Sequence, residues 1–269
     1  MQTGKYDDIS LAKYHTMEGW SKSALDKINR SPAHYMESIA NPPEQTAAMA
    51  FGSALHCAVL TPELYKTQYV IAPECDRRTK ISKETYAAFL ATSEGKSSVT
   101  AEQAGLIERV SQAVLAHPLA SQFLTNGEAE QSYFWNDAKT GLLCKCRPDY
   151  QRNDGITIDL KTCEDARFPA FQRSVHNYRY HVQGAFFMDG IFYATGKQCT
   201  DFVLIAVEKE APFGVMVYRI DDLAIDAGRI AYERNLADVK EWKEKPELYA
   251  TVYQSSTNPV EMPLPAWAE

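Results

Sequence analysis

The sequence predicts a mixed α/β domain in which helices precede and flank a sheet of about five strands. Its N-terminal half carries helix-like runs closed by capping residues and prolines. From Glu128 onward, short β-branched and aromatic runs separated by turn residues take over. The last third ends in a long amphipathic segment and a Pro-bearing tail. With 269 residues and 45% apolar content, the chain is long enough to bury a sizeable core as one large domain or as a core with an extension.

Residues 1–20 are polar and punctuated, and read as a flexible lead-in. Ser21 is a good N-cap for a helix through 23–29, and Asn41-Pro42-Pro43 breaks the chain after it. A second helix is expected over about 45–60, where Ala47, Ala48, Ala50, Gly52, Ser53 and Ala54 suit close packing on the core. Val70-Ile71 reads as a short strand, 75–80 as a polar loop, and 82–94 and 100–124 as further helices. Residues 131–135 and 142–147 flank a turn-rich stretch, a hairpin signature. A strand at 156–160 follows the turn Asn153-Asp154-Gly155. Helices over 165–175 and 180–194, strands at 202–207 and 215–220, and a helix over 222–244 complete the pattern. The expected organisation is one domain over 21–269: a helical part (about 21–126), a core (about 127–245) and a tail (about 246–269). There is no internal repeat and no low-complexity segment.

A net charge of −7 argues mildly against a protein that coats nucleic acid indiscriminately. It leaves room for an enzyme that holds DNA in one local basic channel. No run approaches the ~18 apolar residues of a membrane-spanning helix, and the N-terminus lacks the apolar core of a signal peptide. No membrane association and a cytoplasmic location are expected. Cys57, Cys75, Cys144, Cys146, Cys163 and Cys199 are scattered, and Cys144-Lys145-Cys146 is a poor zinc spacing, so structural thiols are expected.

The most informative stretch runs from Arg147 to Thr162. Asp159-Leu160-Lys161 ends a β-branched run, and residues two apart on a strand share a face. Asp159 and Lys161 therefore point together and Leu160 points away. If the preceding segment pairs with this strand, Asp149 returns alongside Asp159. Carboxylates about 4 Å apart repel by about 4 kcal/mol at an effective dielectric near 20, and a divalent cation is the natural offset. An isolated D-x-K is common at a solvated strand end. Here Pro148-Asp149 precedes it by ten residues, and apolar residues lead into Asp159. Downstream, Tyr180, His181 and Gln183 interrupt an apolar helix containing Val182, Ala185, Phe186 and Phe187. A metal, two aspartates and a lysine make a phosphodiester-cleaving site. On these grounds alone His56 reads as a satisfied core histidine.

These residues resemble the PD-(D/E)XK nuclease superfamily and, within it, the C-terminal nuclease domain of the RecE (exodeoxyribonuclease VIII) family. The matching segments are Phe51-Gly-Ser-Ala-Leu-His56, Ile71-Ala-Pro-Glu, Cys144-Lys-Cys-Arg-Pro-Asp149, Asp159-Leu-Lys161-Thr, Tyr178-Arg-Tyr-His-Val-Gln183 and Leu264-Pro-Ala-Trp267. The resemblance implies a restriction-endonuclease-like core with an N-terminal helical extension. It implies that Asp149 and Asp159 bind metal, with His56 and the Leu160 carbonyl as further ligands. Lys161 would orient or help deprotonate the attacking water, and Gln183 would contact DNA or the lysine, with Tyr180 beside it. Two departures stand out: Asp159 replaces the commoner Glu, and Phe187 stands where relatives carry a Tyr after Gln183, so Phe187 is expected only to pack. Glu130 reads as a solvated strand end, with an approach to the metal as the second reading.

Magnesium suits this oxygen-rich, thiol-free ligand set, with manganese as a substitute. DNA contacts are expected at Arg167, Arg173 and Arg179 and at Arg77 and Arg78, each read equally as a solvated face. Such contacts should go mainly to phosphates. The implied activity is ATP-independent 5′→3′ digestion of double-stranded DNA ends, leaving 3′ tails for a RecT-like annealing protein in phage or prophage recombination. The implied assembly is a ring-like homo-oligomer, tetrameric in RecE, in a bacterial host. The alternatives are a structure-specific endonuclease on the same fold and an idle DNA-end-binding module. A small-molecule hydrolase has little support, because there is no G-x-S-x-G elbow and no Gly-rich phosphate loop.

Overall fold

A computed structural model describes residues 1–74, 79–249, 259 and 261–264. The chain opens with strand β1 (Gly4–Tyr6) and helix α1 (Leu11–Thr16). The Ser21 hydroxyl caps α2 (Lys22–Arg30) by accepting from the Ala24 N–H. Ser31 then caps α3 (Pro32–Ala40), whose proline occupies the first turn, where a missing N–H costs nothing. Thr46 caps α4 (Ala47–Leu60) beyond the proline break. Next come α5 (Pro62–Gln68), β2 (Tyr69–Ile71), α6 (Lys80–Thr92) and β3 (Ser97–Val99). A Thr100–Gln103 capping box starts α7 (Ala101–Ala116). The single helix expected over 100–124 is two, because His117 precedes a proline and leaves the helical region before α8 (Pro118–Phe123).

Strands β4 (Gly127–Ala129), β5 (Ser132–Asn136), β6 (Leu143–Cys146), β7 (Tyr150–Arg152) and β8 (Ile156–Cys163) follow. Then come α9 (Phe168–Asn177), α10 (Tyr180–Thr195), β9 (Asp201–Glu208), β10 (Val215–Arg219) and α11 (Asp222–Glu244). The fold is thus mixed α/β. Its main sheet has the order β10-β9-β8-β7-β4, beside a three-stranded sheet β1-β5-β6 and a parallel pair β2-β3. Five strands in one sheet are what the sequence predicts, but β4 and β7 take the places expected for β5 and β6. One hairpin explains both sheets. Its register is the same in β4–β7 (Ala129↔Tyr150) and β5–β6 (Tyr133↔Cys146). The ladder breaks between them, where Glu130 takes φ 57° and Pro148 has no N–H to give.

β8 and β9 run parallel at the centre, with helices on both faces. Phe202, Leu204 and Ala206 join a core with Leu25, Phe186 and Leu236 from α2, α10 and α11. Val203, Ile205 and Val207, with Ile158 and Leu160, join another with Leu55, Ile107 and Val110 from α4 and α7. Helices α10 and α11 meet closely at Gly228, where an added Cβ would collide with the His181 carbonyl.

Residues 1–20 are not the loose lead-in expected from their polarity. β1 pairs with β5, and Ile9, Tyr14 and Trp20 are buried. Two cations on the β6 side hold the segment. Lys145, itself buried, donates to the Tyr14 and Met17 carbonyls, and Arg147 donates to that of Ile9. The segment thus contributes backbone acceptors rather than a hydrophobic run, which composition does not reveal. Of the tail, Pro246–Tyr249 forms a 3-10 turn, and within the Leu264–Trp267 motif only Leu264 lies among the described residues. No helix among the described residues is long and apolar enough to cross a membrane.

Candidate active site

The site forms where the broken hairpin meets β8. The β7–β8 register (Tyr150↔Ile158) sets Asp149 opposite Asp159. The hairpin register sets Glu130 opposite Asp149, whose carbonyl accepts the Glu130 N–H at 3.0 Å. Three carboxylate residues therefore stand at one level on neighbouring strands. The β7–β8 ladder stops at Ile158, so the Leu160 N–H has no strand partner there, and Asp149 Oδ2 accepts it at 2.7 Å. The N–H and C=O of one strand residue point to the same edge. The Leu160 carbonyl thus faces the same gap.

From α4, His56 Nδ1 lies 3.3 Å from Asp149 Oδ2. One ligand atom each from His56, Glu130 and Asp149 lie within 4.8 Å of one another. Glu130 is therefore not a solvated strand end. It is half-buried, in a left-handed conformation uncommon for a residue with a side chain, and its carboxylate accepts from Arg147 Nε at 2.7 Å. Asp159 stands outside that tightest group because its carboxylate is turned toward α10. It is 1% exposed; Oδ1 accepts from Gln183 Nε2 at 2.6 Å, and Oδ2 lies 2.5 Å from Lys161 Nζ. That Lys161 contact lacks hydrogen-bond geometry, so Oδ2 is a buried acceptor without a hydrogen bond. Lys161 Nζ also lies 4.7 Å from the centre of the Tyr180 ring. Phe187 is buried edge-on against Phe202 and only packs, as expected.

The charges here pull one another apart. Burial pushes the Asp159 carboxyl up to about 6, helped by the Asp149 charge and opposed by Lys161. Burial also works to raise Asp149, but the His56 charge and hydrogen bond, Lys161 and the Leu160 N–H outweigh it and hold the group below its ordinary value. Burial would lower His56, yet Asp149 keeps it raised; burial would lower Lys161, yet Asp159 and Asp149 keep it raised. Glu130 is raised by burial and by Asp149, against the pull of Arg147. Carboxylates crowded round a histidine, a carbonyl where the β7–β8 ladder stops and a buried carboxylate oxygen without a hydrogen bond form a hard, oxygen-rich donor set that fits a divalent cation.

Among the basic residues, Arg179 is engaged within the protein. It takes a left-handed conformation (φ 54°, ψ 45°) before α10, and its guanidinium is held by Asp26 and Asn235, each at 2.9 Å. Arg167 is paired with Asp165 at 2.7 Å, while Arg173 is exposed on α9. Arg77 and Arg78 lie outside the described residues. Sequence reasoning missed Lys22. Its ammonium donates to the Tyr178 carbonyl at 2.6 Å, pairs with Asp26 at 2.7 Å and lies within electrostatic range of Lys161. No local signal separates it from any other lysine in a first helical turn.

The strand order, the carboxylate row and the lysine two residues after Asp159 define a domain of the PD-(D/E)XK class. Residues 21–249 match the family described as a PDDEXK-like domain of unknown function (DUF3799), and the chain belongs to that family. No curated protein matches it. Among solved structures it is similar to a protein of Eubacterium rectale provisionally named an exonuclease, at 13% identity and a TM-score of 0.63, over 95% of this chain and 97% of that one. An alkaline exonuclease of Laribacter hongkongensis overlaps more loosely, at 13% identity and a TM-score of 0.28, over 75% of this chain and 98% of that one. At 13% identity the likeness to the Eubacterium rectale protein is one of fold.

Proposed function

We propose that the protein is a divalent-metal-dependent nuclease that hydrolyses phosphodiesters from the ends of double-stranded DNA. The observation that carries this reading is Asp159, buried at the end of a core strand with one oxygen lacking a hydrogen bond and Lys161 and Asp149 beside it. Breaking up a buried ion pair leaves an uncompensated charge costing about 3–5 kcal/mol, so a folded domain keeps such a group where it has a use. His56, Glu130, Asp149, Asp159 and the Leu160 carbonyl are the groups that would hold magnesium, with manganese as a substitute. The ion, when bound, supplies polarisation of a phosphoryl oxygen and a more acidic water.

The chain's own groups divide the rest. Lys161, held above its ordinary value, stays an ammonium at neutral pH. Its contribution is charge beside the phosphate and orientation of the attacking water. Gln183 fixes the Asp159 rotamer through Oδ1. The finer features follow from the RecE resemblance: 5′→3′ direction, independence of ATP, 3′ tails handed to a RecT-like annealing protein and a ring-shaped homo-oligomer. So does a role in phage or prophage recombination in the bacterial cytoplasm.

Linear duplex labelled at either end, beside covalently closed circles, tests this directly. With Mg²⁺, label should leave the 5′ end first, circles should survive, and chelation should stop the reaction. Asp159→Ala should lose about a thousandfold or more of the activity while circular dichroism stays native. Cleaved circles would favour an endonuclease, and end binding without cleavage would favour an idle module. Undiminished digestion by Asp159→Ala would remove the site.

A further inference from the structure

We infer that Tyr178 is a base-stacking platform that holds an unpaired nucleobase of the DNA strand entering the site. The inference rests on the nuclease reading and names the form in which substrate arrives. Tyr178 is 62% exposed, yet it is fixed from several sides. Its ring stacks on Tyr180, with centres 5.6 Å apart and planes at 22°, and Tyr180 lies against Lys161. Its N–H donates to the Ser174 carbonyl at 3.0 Å, and its own carbonyl accepts from Lys22. The next residue, Arg179, is locked in its left-handed conformation by Asp26 and Asn235. An exposed ring on a fixed backbone, stacked on Tyr180 and two contacts from Lys161, is preorganised for a flat ligand.

The surroundings fit a nucleotide. Two lysines flank the stack on the side where a backbone phosphate would lie: Lys161 over the Tyr180 ring and paired with Asp159, and Lys22 at the Tyr178 carbonyl and paired with Asp26. The aromatic row also continues from Tyr180 through buried Phe171 and half-buried Tyr218 to Phe168, which is 59% exposed. Both ends of the row are open and its middle is packed. Stacking accepts any base, because every base has a π face, which suits an enzyme that must digest any sequence. A base inside a duplex has both faces covered by its neighbours. Tyr178 therefore takes a base with a free face, and next to the cleavage point that is a frayed or single-stranded nucleotide.

The test uses the full chain in EDTA, so that nothing is cleaved, with single-stranded oligonucleotides carrying 2-aminopurine near one end. Wild-type protein should quench the fluorophore, and Tyr178→Ala should lose the quench and weaken binding by about ten- to a hundredfold. Tyr178→Phe and Tyr178→Trp should restore both, and Tyr193→Ala, on the far end of α10, should change neither. In Mg²⁺, the Tyr178→Ala defect should appear in KM more than in kcat. Unchanged quench and affinity in a folded Tyr178→Ala would overturn the proposal, as would a quench seen with RNA but not with DNA. Because the readout needs no turnover, failure of catalysis in wild-type protein would count against the nuclease reading alone.

Discussion

β8 and β9 lie side by side at the centre of one sheet, parallel and covered by helices on both faces, yet they carry opposite loads. β9 buries Phe202, Leu204 and Ala206 on the α10 side and Val203, Ile205 and Val207 on the α4 side. β8 repeats only half of this: Ile158 and Leu160 face the α4 side. On the other side, the register pairs Asp159 with Leu204 and Lys161 with Ala206. The backbone environment is nearly the same. The difference lies in what reaches β8 from elsewhere: Gln183 from α10, Asp149 from the hairpin and His56 from α4. Ala206, the smallest side chain in its run, is the one beside the long Lys161. A charge in the middle of a sheet is tolerable when other elements bring its partners to it.

Leu204→Asp breaks the contrast most severely, since it puts a carboxylate into that layer without partners. It should cost about 4 kcal/mol or more, read as a shift in denaturant midpoint. A wild-type midpoint would mean that the layer tolerates a lone charge, and the comparison would fail. The reverse experiment writes the β9 pattern into β8 with Asp159→Leu and Lys161→Ala together. Metal-free protein should then be as stable as wild type or up to about 4 kcal/mol more stable, with digestion abolished. A large loss of stability would show that these charges hold the fold together.

The smallest effect is one of pH. Asp159 holds its proton up to about 6, and a ligand must lose its proton before it binds metal. Mg²⁺ affinity, measured by titration calorimetry, should therefore fall by up to about tenfold per pH unit below that value. Flat affinity between pH 5 and 7 would place the cation away from Asp159. In metal-free protein the sign for stability is opposite to that of a paired carboxylate. Between the ordinary aspartate value and about 6, the folded state binds the extra proton, so this group subtracts stability as pH rises through that window.

How much of this was legible depended on the range of the signal. The β8 strand, the turn before it and the polar interruptions of α10 are local patterns, and they led directly to Asp149, Asp159, Lys161 and Gln183. The Pro118 break is equally local. Glu130 became part of the site only through a hairpin register that also sets it opposite Asp149. Lys22 and Arg179 depend on partners more than fifty residues away in the chain, such as Tyr178 and Asn235. A basic residue near the Asp159 strand looks the same in sequence whether its charge is free or, like that of Arg179, is already engaged by partners within the fold.

Arg147 has a consequence for where this molecule can be cut. One guanidinium nitrogen reaches the Ile9 carbonyl and the Ser132 hydroxyl, while another holds Glu130. The family match begins at residue 21, but the carbonyls that hold Lys145 and Arg147 lie before it. Trimming the protein at the homology border would strip acceptors from Arg147 and from Lys145 together. The injury would travel along the Arg147 side chain to Glu130 in the acidic cluster, and the core would lose Ile9, Tyr14 and Trp20 with it.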